Sequence, residues 1–186
     1  TDGAGVWCAG TGPNGKIYRS SDNGVTWAEI YDSSETYILC MDTDESGVWC
    51  AGTEPGGKIY RSSDNGVTWA ETHDSTELQI LCIDFDRSSG IWCAGTANGG
   101  KILRSSNNGV TWTEIYDSPQ SKIFSIAYDN FEDGVWCAGA SNGKIYRSSN
   151  DGLTWAEIYD SSQESILSLA AFNDGAIWVA GTGLGG

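Results

Sequence analysis

The sequence repeats itself with a period of about 43 residues, and this repeat constrains the fold more than any other feature. Neighbouring tryptophans of the first series are 42, 43, 44 and 42 residues apart, at Trp7, Trp49, Trp92, Trp136 and Trp178. Those of a second series are 42, 43 and 43 residues apart, at Trp27, Trp69, Trp112 and Trp155. Segment 16–27 is identical to segment 58–69. Two interleaved series with one period indicate a single structural unit copied along the chain.

Each unit is predicted to contain four short strands, A to D, separated by turn sequences rich in Gly, Asn, Asp and Pro. Strand A is an apolar run at 37–41, 79–83, 122–127 and 165–170. Strand B is expected at 6–10 with copies starting at Val48, Ile91, Val135 and Ile177. Strand C is expected at Lys16–Ser20 with copies starting at Lys58, Lys101 and Lys144. Strand D is expected at 26–30 with copies starting at Thr68, Thr111 and Thr154.

Units of this length that contain only strands are typical of propeller blades. The sequence therefore predicts an all-β fold, a β-propeller of about four to five blades, each a four-stranded antiparallel sheet. A β-solenoid is the alternative, but its coils are usually shorter and its parallel strands do not need a hairpin turn at every connection.

The whole chain, 1–186, is predicted to be one repeat domain with units at about 1–34, 35–76, 77–119, 120–162 and a partial unit at 163–186. The last A strand either completes the first blade in a closed four-bladed ring or belongs to a fifth, partial blade. Both arrangements leave an unpaired apolar edge, and such edges recruit other strands. We therefore expect a segment of a longer array or a homo-oligomer joined through unpaired terminal strands.

The charge balance limits the classes of partner. The chain has 10 Lys and Arg against 25 Asp and Glu, a net charge of −15. Binding to nucleic acids and anionic membranes depends on clustered cations, so neither is expected. No apolar run approaches the roughly 20 residues of a membrane helix, so membrane insertion is not expected. A protein or glycan partner remains open.

Each C–D turn carries the pattern Ser-x-Asp/Asn-x-Gly-x-x-Trp. An Asp or Asn side chain can accept hydrogen bonds from turn amides, and Gly permits a positive φ. The Trp is expected to attach the turn to the sheet through its large apolar surface. The residues predicted to build these turns are Ser20, Asp22, Gly24, Trp27, Ser62, Asp64, Gly66, Trp69, Ser105, Asn107, Gly109, Trp112, Ser148, Asn150, Gly152 and Trp155.

This pattern resembles the Asp-box, or BNR repeat, of sialidases, Vps10-type receptors, xyloglucanases and photosystem II assembly-factor propellers. The resemblance implies a structural motif at the outer C–D turn of each blade. The strand Gly-Val-Trp-Cys-Ala-Gly followed by Lys-Ile-Tyr-Arg-Ser is most similar to the assembly-factor-like group. Asn107 and Asn150 depart from the Asp of the pattern, which makes a charge-dependent role of these turns doubtful.

A sialidase would further imply an arginine triad, a Tyr–Glu nucleophile pair and an Asp acid. Four of the five arginines instead share one repeat position, at Arg19, Arg61, Arg104 and Arg147. The copied strand-D acids are likewise equivalent to one another, at Glu29, Glu71, Glu114 and Glu157. Equivalent positions on different blades do not converge on one substrate. We therefore expect no enzyme activity, no catalytic residue, no cofactor and no metal.

The remaining singular residues favour structural roles. His73 stands where other units have Tyr31, Tyr116 and Tyr159, and is interpreted as a drifted aromatic position. Acidic A–B turns at 42–47 and 84–86 faintly resemble calcium loops. The later copies at 129–133 and 173–174 keep oxygen-bearing side chains without keeping the spacing, and ordinary acidic turns are the favoured interpretation. Buried thiols are favoured over cross-strand disulfides within the pairs Cys40–Cys50 and Cys82–Cys93, and Cys8 and Cys137 have no such partner.

These features favour a non-catalytic β-propeller that acts as a binding or assembly scaffold. Copied tyrosines, Tyr18, Tyr60 and Tyr146, are candidate binding residues or packing between blades. The alternatives are a structural module that self-assembles through open ends and a fragment of a larger Asp-box glycoside hydrolase.

Overall fold

The computed structural model describes residues 1–129, 134–161, 164–172 and 177–183. These residues form seventeen strands in five antiparallel sheets, as an all-β propeller requires. No helix capable of crossing a membrane occurs in the described ranges.

The sheets follow one another along the chain and are called blades 1 to 5. Blade 1 contains β1 (Trp7–Gly10), β2 (Lys16–Ser20) and β3 (Ala28–Asp32). Blade 2 contains β4 (Tyr37–Thr43), β5 (Trp49–Glu54), β6 (Lys58–Ser62) and β7 (Ala70–Asp74). Blade 3 contains β8 (Gln79–Asp86), β9 (Ile91–Ala97), β10 (Lys101–Ser105) and β11 (Thr113–Asp117). Blade 4 contains β12 (Ile123–Tyr128), β13 (Trp136–Ala140), β14 (Lys144–Ser148) and β15 (Ala156–Asp160). Blade 5 contains β16 (Ser165–Phe172) and β17 (Ile177–Gly183).

The predicted strand C matches the structure in every copy, whereas strands A and D differ at their ends. Strand A runs further, to Thr43 in blade 2 and Asp86 in blade 3. Strand D begins two residues later than predicted, at Ala28 in blade 1. Trp27 therefore belongs to the turn, where its indole Nε1 donates a hydrogen bond to the Gly24 carbonyl over 3.0 Å.

The hydrophobic core lies between blades. Blades 2, 3 and 4 each have one face toward the preceding blade and one toward the following blade. Between blades 1 and 2, Ile17 of the first packs in one cluster with Trp49, Tyr60 and Trp69 of the second. Equivalent clusters join blade 2 to blade 3 and blade 3 to blade 4. The repeated Trp and Tyr residues thus stack the blades.

The two ends of the stack differ from its middle. Trp7 and Trp27 are 41 % and 43 % exposed, whereas Trp49 and Trp69 at the same positions of blade 2 are 2 % and 8 % exposed. Strand β16 pairs with β17 in a separate sheet, and the first sheet has the order β1-β2-β3. The closed four-bladed arrangement, with the last A strand completing blade 1, is therefore wrong for this structure.

Candidate functional site

The outer C–D turns are closed by hydrogen bonds from the patterned residues. In blade 1, the Ser20 hydroxyl donates to Asp22 Oδ1 over 2.7 Å and accepts from the Gly24 amide over 2.9 Å. Asp22 also accepts from the Thr26 amide over 2.9 Å and from the Thr26 hydroxyl over 2.6 Å. The Thr26 bonds, followed by that from Ser20, lower the pKa of Asp22 to about 2. All four turns share the bond from the Gly amide to the Ser hydroxyl, at Ser20, Ser62, Ser105 and Ser148.

The asparagines of blades 3 and 4 build the same turn without a charge. Asn107 Oδ1 accepts from the Thr111 amide over 2.9 Å, as the aspartate does. Its Nδ2 donates to the Thr111 hydroxyl over 2.9 Å, so that this hydroxyl accepts a bond where Thr26 donates one. Asn150 and Thr154 repeat both bonds. The turn geometry therefore depends on the side-chain oxygen and not on ionisation.

The motif glycines allow the turns to approach the preceding blade. A Cβ at Gly66 would lie 2.6 Å from the sulfur of Cys8, and Gly66 has a φ of +78°. Gly109 and Gly152 face Cys50 and Cys93 in the same way. The copied cysteine thus packs beneath the turn of the following blade, where a larger side chain would collide with it.

The copied arginines connect consecutive blades. Arg19 Nε donates to the Asn65 carbonyl over 2.7 Å, Arg61 Nε to the Asn108 carbonyl over 2.7 Å, and Arg104 Nε to the Asp151 carbonyl over 2.6 Å. Arg147 lines a cavity of about 290 Å³ between blades 4 and 5, together with Ile145, Ile158 and Trp178. The bonds of Arg19, Arg61 and Arg104 occupy three separate interfaces, which is not the geometry of a carboxylate-binding triad.

Aspartates of the A–B turns also form hydrogen bonds between consecutive blades. Asn65 accepts a bond from Trp49 Nε1 over 3.2 Å and donates to Asp2 Oδ2 of the preceding blade over 2.8 Å. Asn108 connects Trp92 to Asp44 in the same way. Asp2 and Asp44 also accept amide hydrogen bonds within their own turns, so their oxygens already have protein partners. In the described ranges, no group of three or more His, Cys, Asp or Glu residues has the arrangement of a metal site. Residues 130–133 and 173–174, from the later copies of these acidic turns, lie outside the described residues.

The copied strand-D acids form ion pairs within their own blades. Each is 2.9 to 3.0 Å from the lysine of strand C, in the pairs Lys16–Glu29, Lys58–Glu71, Lys101–Glu114 and Lys144–Glu157. These carboxylates lie at equivalent places on four blades. Their positions do not bring two acids together as a glycosidase pair requires.

The first acids of the A–B turns at 42–47 and 84–86, Asp42 and Asp84, lie on strands β4 and β8 and have perturbed pKa values. Asp84 on β8 accepts a hydrogen bond from the Tyr128 amide of blade 4 over 2.7 Å. Burial, together with the nearby Asp42 carboxyl, raises the pKa of Asp84 to about 7. Burial also raises the pKa of Asp42. The signal in the sequence was the recurrence of Asp at the same position of consecutive A strands.

The tyrosines proposed as binding residues are mostly buried. Tyr60 and Tyr146 are 3 % and 1 % exposed, so they serve packing between blades. Among the exposed apolar positions, one recurs in each C–D turn, directly after the motif glycine. One such side chain per blade is about half exposed or more, at Val25, Val67, Val110 and Leu153.

All six cysteines are free thiols. The register that runs unbroken from each A–B turn places Cys40 opposite Gly52 and Cys82 opposite Gly95, so neither faces the strand-B cysteine. Burial raises the pKa of Cys8 to about 11 and those of Cys40 and Cys137 to about 12.

The single histidine lies at the interface of blades 2 and 3. His73 is partly buried on β7 and lines a cavity together with Leu103 of blade 3. Burial lowers the pKa of His73, and the nearby Asp74 carboxylate partly opposes this shift.

No family model and no curated protein matches the chain. Solved structures do match. An ancestral GH74 enzyme superposes with a TM-score of 0.82 at 21 % identity, over 96 % of this chain and 26 % of that one. The nidogen/laminin complex gives a TM-score of 0.68 at 16 % identity, over 88 % of this chain and 64 % of that chain. YCF48 bound to D1 peptide gives a TM-score of 0.58 at 18 % identity, over 86 % and 56 %. The chain thus spans only a part of each of these proteins, and the likeness establishes the propeller fold alone.

Proposed function

We propose that the chain is a non-catalytic β-propeller scaffold that binds a protein partner along its row of C–D turns. The observation that carries this proposal is the exposed apolar side chain at the same place in four consecutive blades, at Val25, Val67, Val110 and Leu153. Four such side chains in register offer a periodic series of apolar contacts that one extended partner can bind together.

The use of the copied charged groups supports a role without catalysis. Arg19, Arg61 and Arg104 bind backbone carbonyls of the following blade. The strand-D glutamates are paired with the strand-C lysines. We expect purified protein to hydrolyse neither sialosides nor xyloglucan, and turnover that is lost on replacing one acid would overturn this part of the proposal.

Repetition favours an extended partner. Each turn offers only a small apolar contact, but several contacts in one partner add through effective concentration. Two of the similar structures are the nidogen/laminin complex and YCF48 bound to D1 peptide, which supports a protein rather than a glycan as the partner. The net charge of −15 favours a partner with basic residues beside its apolar ones.

Parallel peptide and glycan arrays test this proposal. We expect binding to peptides that combine apolar and basic residues, and loss of that binding when all four row residues are replaced by Ser. The matched control replaces Leu39, which is exposed on β4 away from the row, by Ser. Binding that survives the fourfold change, or binding to glycans alone, would contradict the proposal.

Assembly end to end is a second candidate, favoured by the exposed face of blade 1. Trp7 and Trp27 occupy positions that are covered by the preceding blade at Trp49 and Trp69. Light scattering over a wide concentration range should show association that weakens in a Trp7→Ser, Trp27→Ser variant. A monomer at every concentration would exclude this candidate.

A further inference from the structure

The interface between blades 2 and 3 departs from its two counterparts. The strand-D pair Ile-Tyr, present at 30–31 and 115–116, becomes Thr72 and His73 in blade 2. Strand C of blade 3 carries Leu103 at the position where blades 2 and 4 carry Tyr60 and Tyr146. Two of these departures, His73 and Leu103, line one cavity in an otherwise closely repeated chain.

The two counterpart interfaces hold a pair of tyrosine rings at this place. Tyr31 and Tyr60 have ring centroids 5.4 Å apart with an interplanar angle of 58°. Tyr116 and Tyr146 have the same separation and angle. In each pair one ring belongs to strand D of one blade and the other to strand C of the next. The chain itself therefore shows that a phenol ring fits between two of its blades.

Between blades 2 and 3 the same place is a cavity of about 170 Å³. His73 and Leu103 line it, with the link at 74–77 and the side chains of Lys101 and Glu114 at its edge. A cavity of roughly 150 Å³ lined by apolar groups is enough to bind benzene. The volume thus suits one substituted aromatic ring.

His73 supplies a polar group that lacks a partner. Its Nε2 is buried and makes no hydrogen bond to any residue in the described ranges. An unsatisfied buried nitrogen costs free energy that a hydroxyl can relieve. Because Nε2 is shielded from solvent, the imidazole must rotate about its Cβ–Cγ bond to contact a ligand.

The charges at the edge of the cavity disfavour the binding of an anionic ligand. Lys101 Nζ lies 3.3 Å from Glu77 and 2.9 Å from Glu114, so its charge is already neutralised by two carboxylates. Asp74 adds a third carboxylate to the lining. A neutral ring is therefore favoured over an aryl carboxylate.

We propose that this cavity is a binding site for a neutral phenolic ring, which takes the place of the tyrosine ring found at the two counterpart interfaces and shares its hydroxyl with His73. The site is independent of the row of C–D turns. The same chemistry is offered by a free small phenol and by a tyrosine side chain of a peptide.

The histidine makes the test direct because the chain has only one. The probe is p-cresol, added to the full chain while the imidazole proton resonances of His73 are followed by NMR. We expect saturable shifts with a dissociation constant on the order of a millimolar, as suits so small a ligand. Toluene, which lacks the hydroxyl, should bind at least threefold more weakly, and 4-methylbenzoate at least tenfold more weakly.

Substitutions that fill the cavity provide a second test of the proposed site. Leu103→Tyr restores the residue of the other blades and should weaken p-cresol binding at least tenfold, measured by saturation transfer to the ligand. Leu39→Tyr makes the same change on an exposed part of β4 and should leave binding unchanged. His73→Tyr, another return to the repeat, gives an independent variant if Leu103→Tyr folds poorly.

N-acetyltyrosinamide distinguishes the two sources of the ring. Binding as tight as that of p-cresol supports a peptide side chain, and at least tenfold weaker binding supports a free phenol. Unshifted His73 resonances at saturating p-cresol, equal binding of toluene, or unchanged binding by both filled variants would overturn the proposal.

Discussion

Arg61 Nε donates a hydrogen bond to the backbone carbonyl of Asn108 over 2.7 Å, so a strand of blade 2 holds the outer turn of blade 3. The two residues are 47 positions apart, slightly more than one repeat. Arg19 and Arg104 make the same bond at the neighbouring interfaces. The connection is thus a property of the repeat and gives the stack a direction.

Replacing Arg61 by Ala should lower the free energy of unfolding by about 1–3 kcal/mol, because it removes a charged donor from a partly buried hydrogen bond. Arg87→Ala is the matched control, since Arg87 forms an exposed ion pair with Glu45 and such pairs contribute about 0–1 kcal/mol. Urea unfolding followed by Trp fluorescence measures both. Equal effects of the two substitutions would show that the hydrogen bond to the Asn108 carbonyl contributes no more to stability than an exposed ion pair.

Asp64→Asn should leave the stability at pH 7 nearly unchanged, whereas Asp64→Ala should lower it by about 1 kcal/mol, because only Asn keeps the oxygen that accepts from Thr68. Blades 3 and 4 already carry Asn at this position. Thermal unfolding of the two variants provides the comparison. A large loss for Asn would mean that the charge itself matters to this turn.

Gly66→Ala should destabilise the chain by about 2–4 kcal/mol, since the residue has a φ of +78° and the added Cβ meets the Cys8 sulfur. Cys8→Ala in the same chain should recover part of this loss, because it removes the collision but not the backbone strain. A double-mutant cycle of melting curves measures the coupling. If Cys8→Ala recovers no stability, the whole destabilisation by Gly66→Ala arises from backbone strain.

Asp84 should make stability fall with rising pH. Its pKa is about 7 in the folded chain, above its ordinary value of 3.8, so the folded state binds more protons than the unfolded state between these values. Its contribution is therefore fully present below pH 4 and is lost as the pH rises through 7. Asp84→Asn should flatten this dependence and raise stability at pH 8 by about 1–2 kcal/mol. A wild-type curve that rises between pH 4 and 8 and is unaffected by the substitution would contradict this account.

The thiols should react slowly in the folded chain, because burial raises the pKa of Cys8 to about 11 and of Cys137 to about 12. Thiolates are the reactive form, and their fraction at pH 8 is small at such values. Titration with a thiol reagent should find few reactive groups in buffer and all six in denaturant without reductant. A lower count in denaturant would indicate disulfides.

Prediction from the sequence succeeded where the information is local. The spacing of Trp49 from Trp7 and the bounds of β2 follow from periodicity and turn residues alone. It failed for the register of strand A, because the pairing of Cys40 with Gly52 is set by the residue on which the A–B turn is centred, and the sequence does not mark that residue.

The candidate sites depended on contacts between repeats. His73 stood out in the sequence as a departure from Tyr. The cavity beside it could be recognised only together with Leu103, which lies 30 residues further on and in another blade. Comparing Leu103 with Tyr60 and Tyr146 was the signal available. The exposure of Val25 and its equivalents could not be predicted, since the same pattern of residues would suit a covered turn.

Blade-to-blade contact along one direction has a mechanical consequence. Each interior blade is held by its two neighbours, and blade 1 has a bare face at Trp7 and Trp27. A force applied to the two termini should therefore peel the stack from an end, one unit at a time. Each event frees a repeat of 42 to 44 residues, or about 140 Å of extended chain. A single-molecule force trace should show a ladder of evenly spaced steps in place of one global rupture.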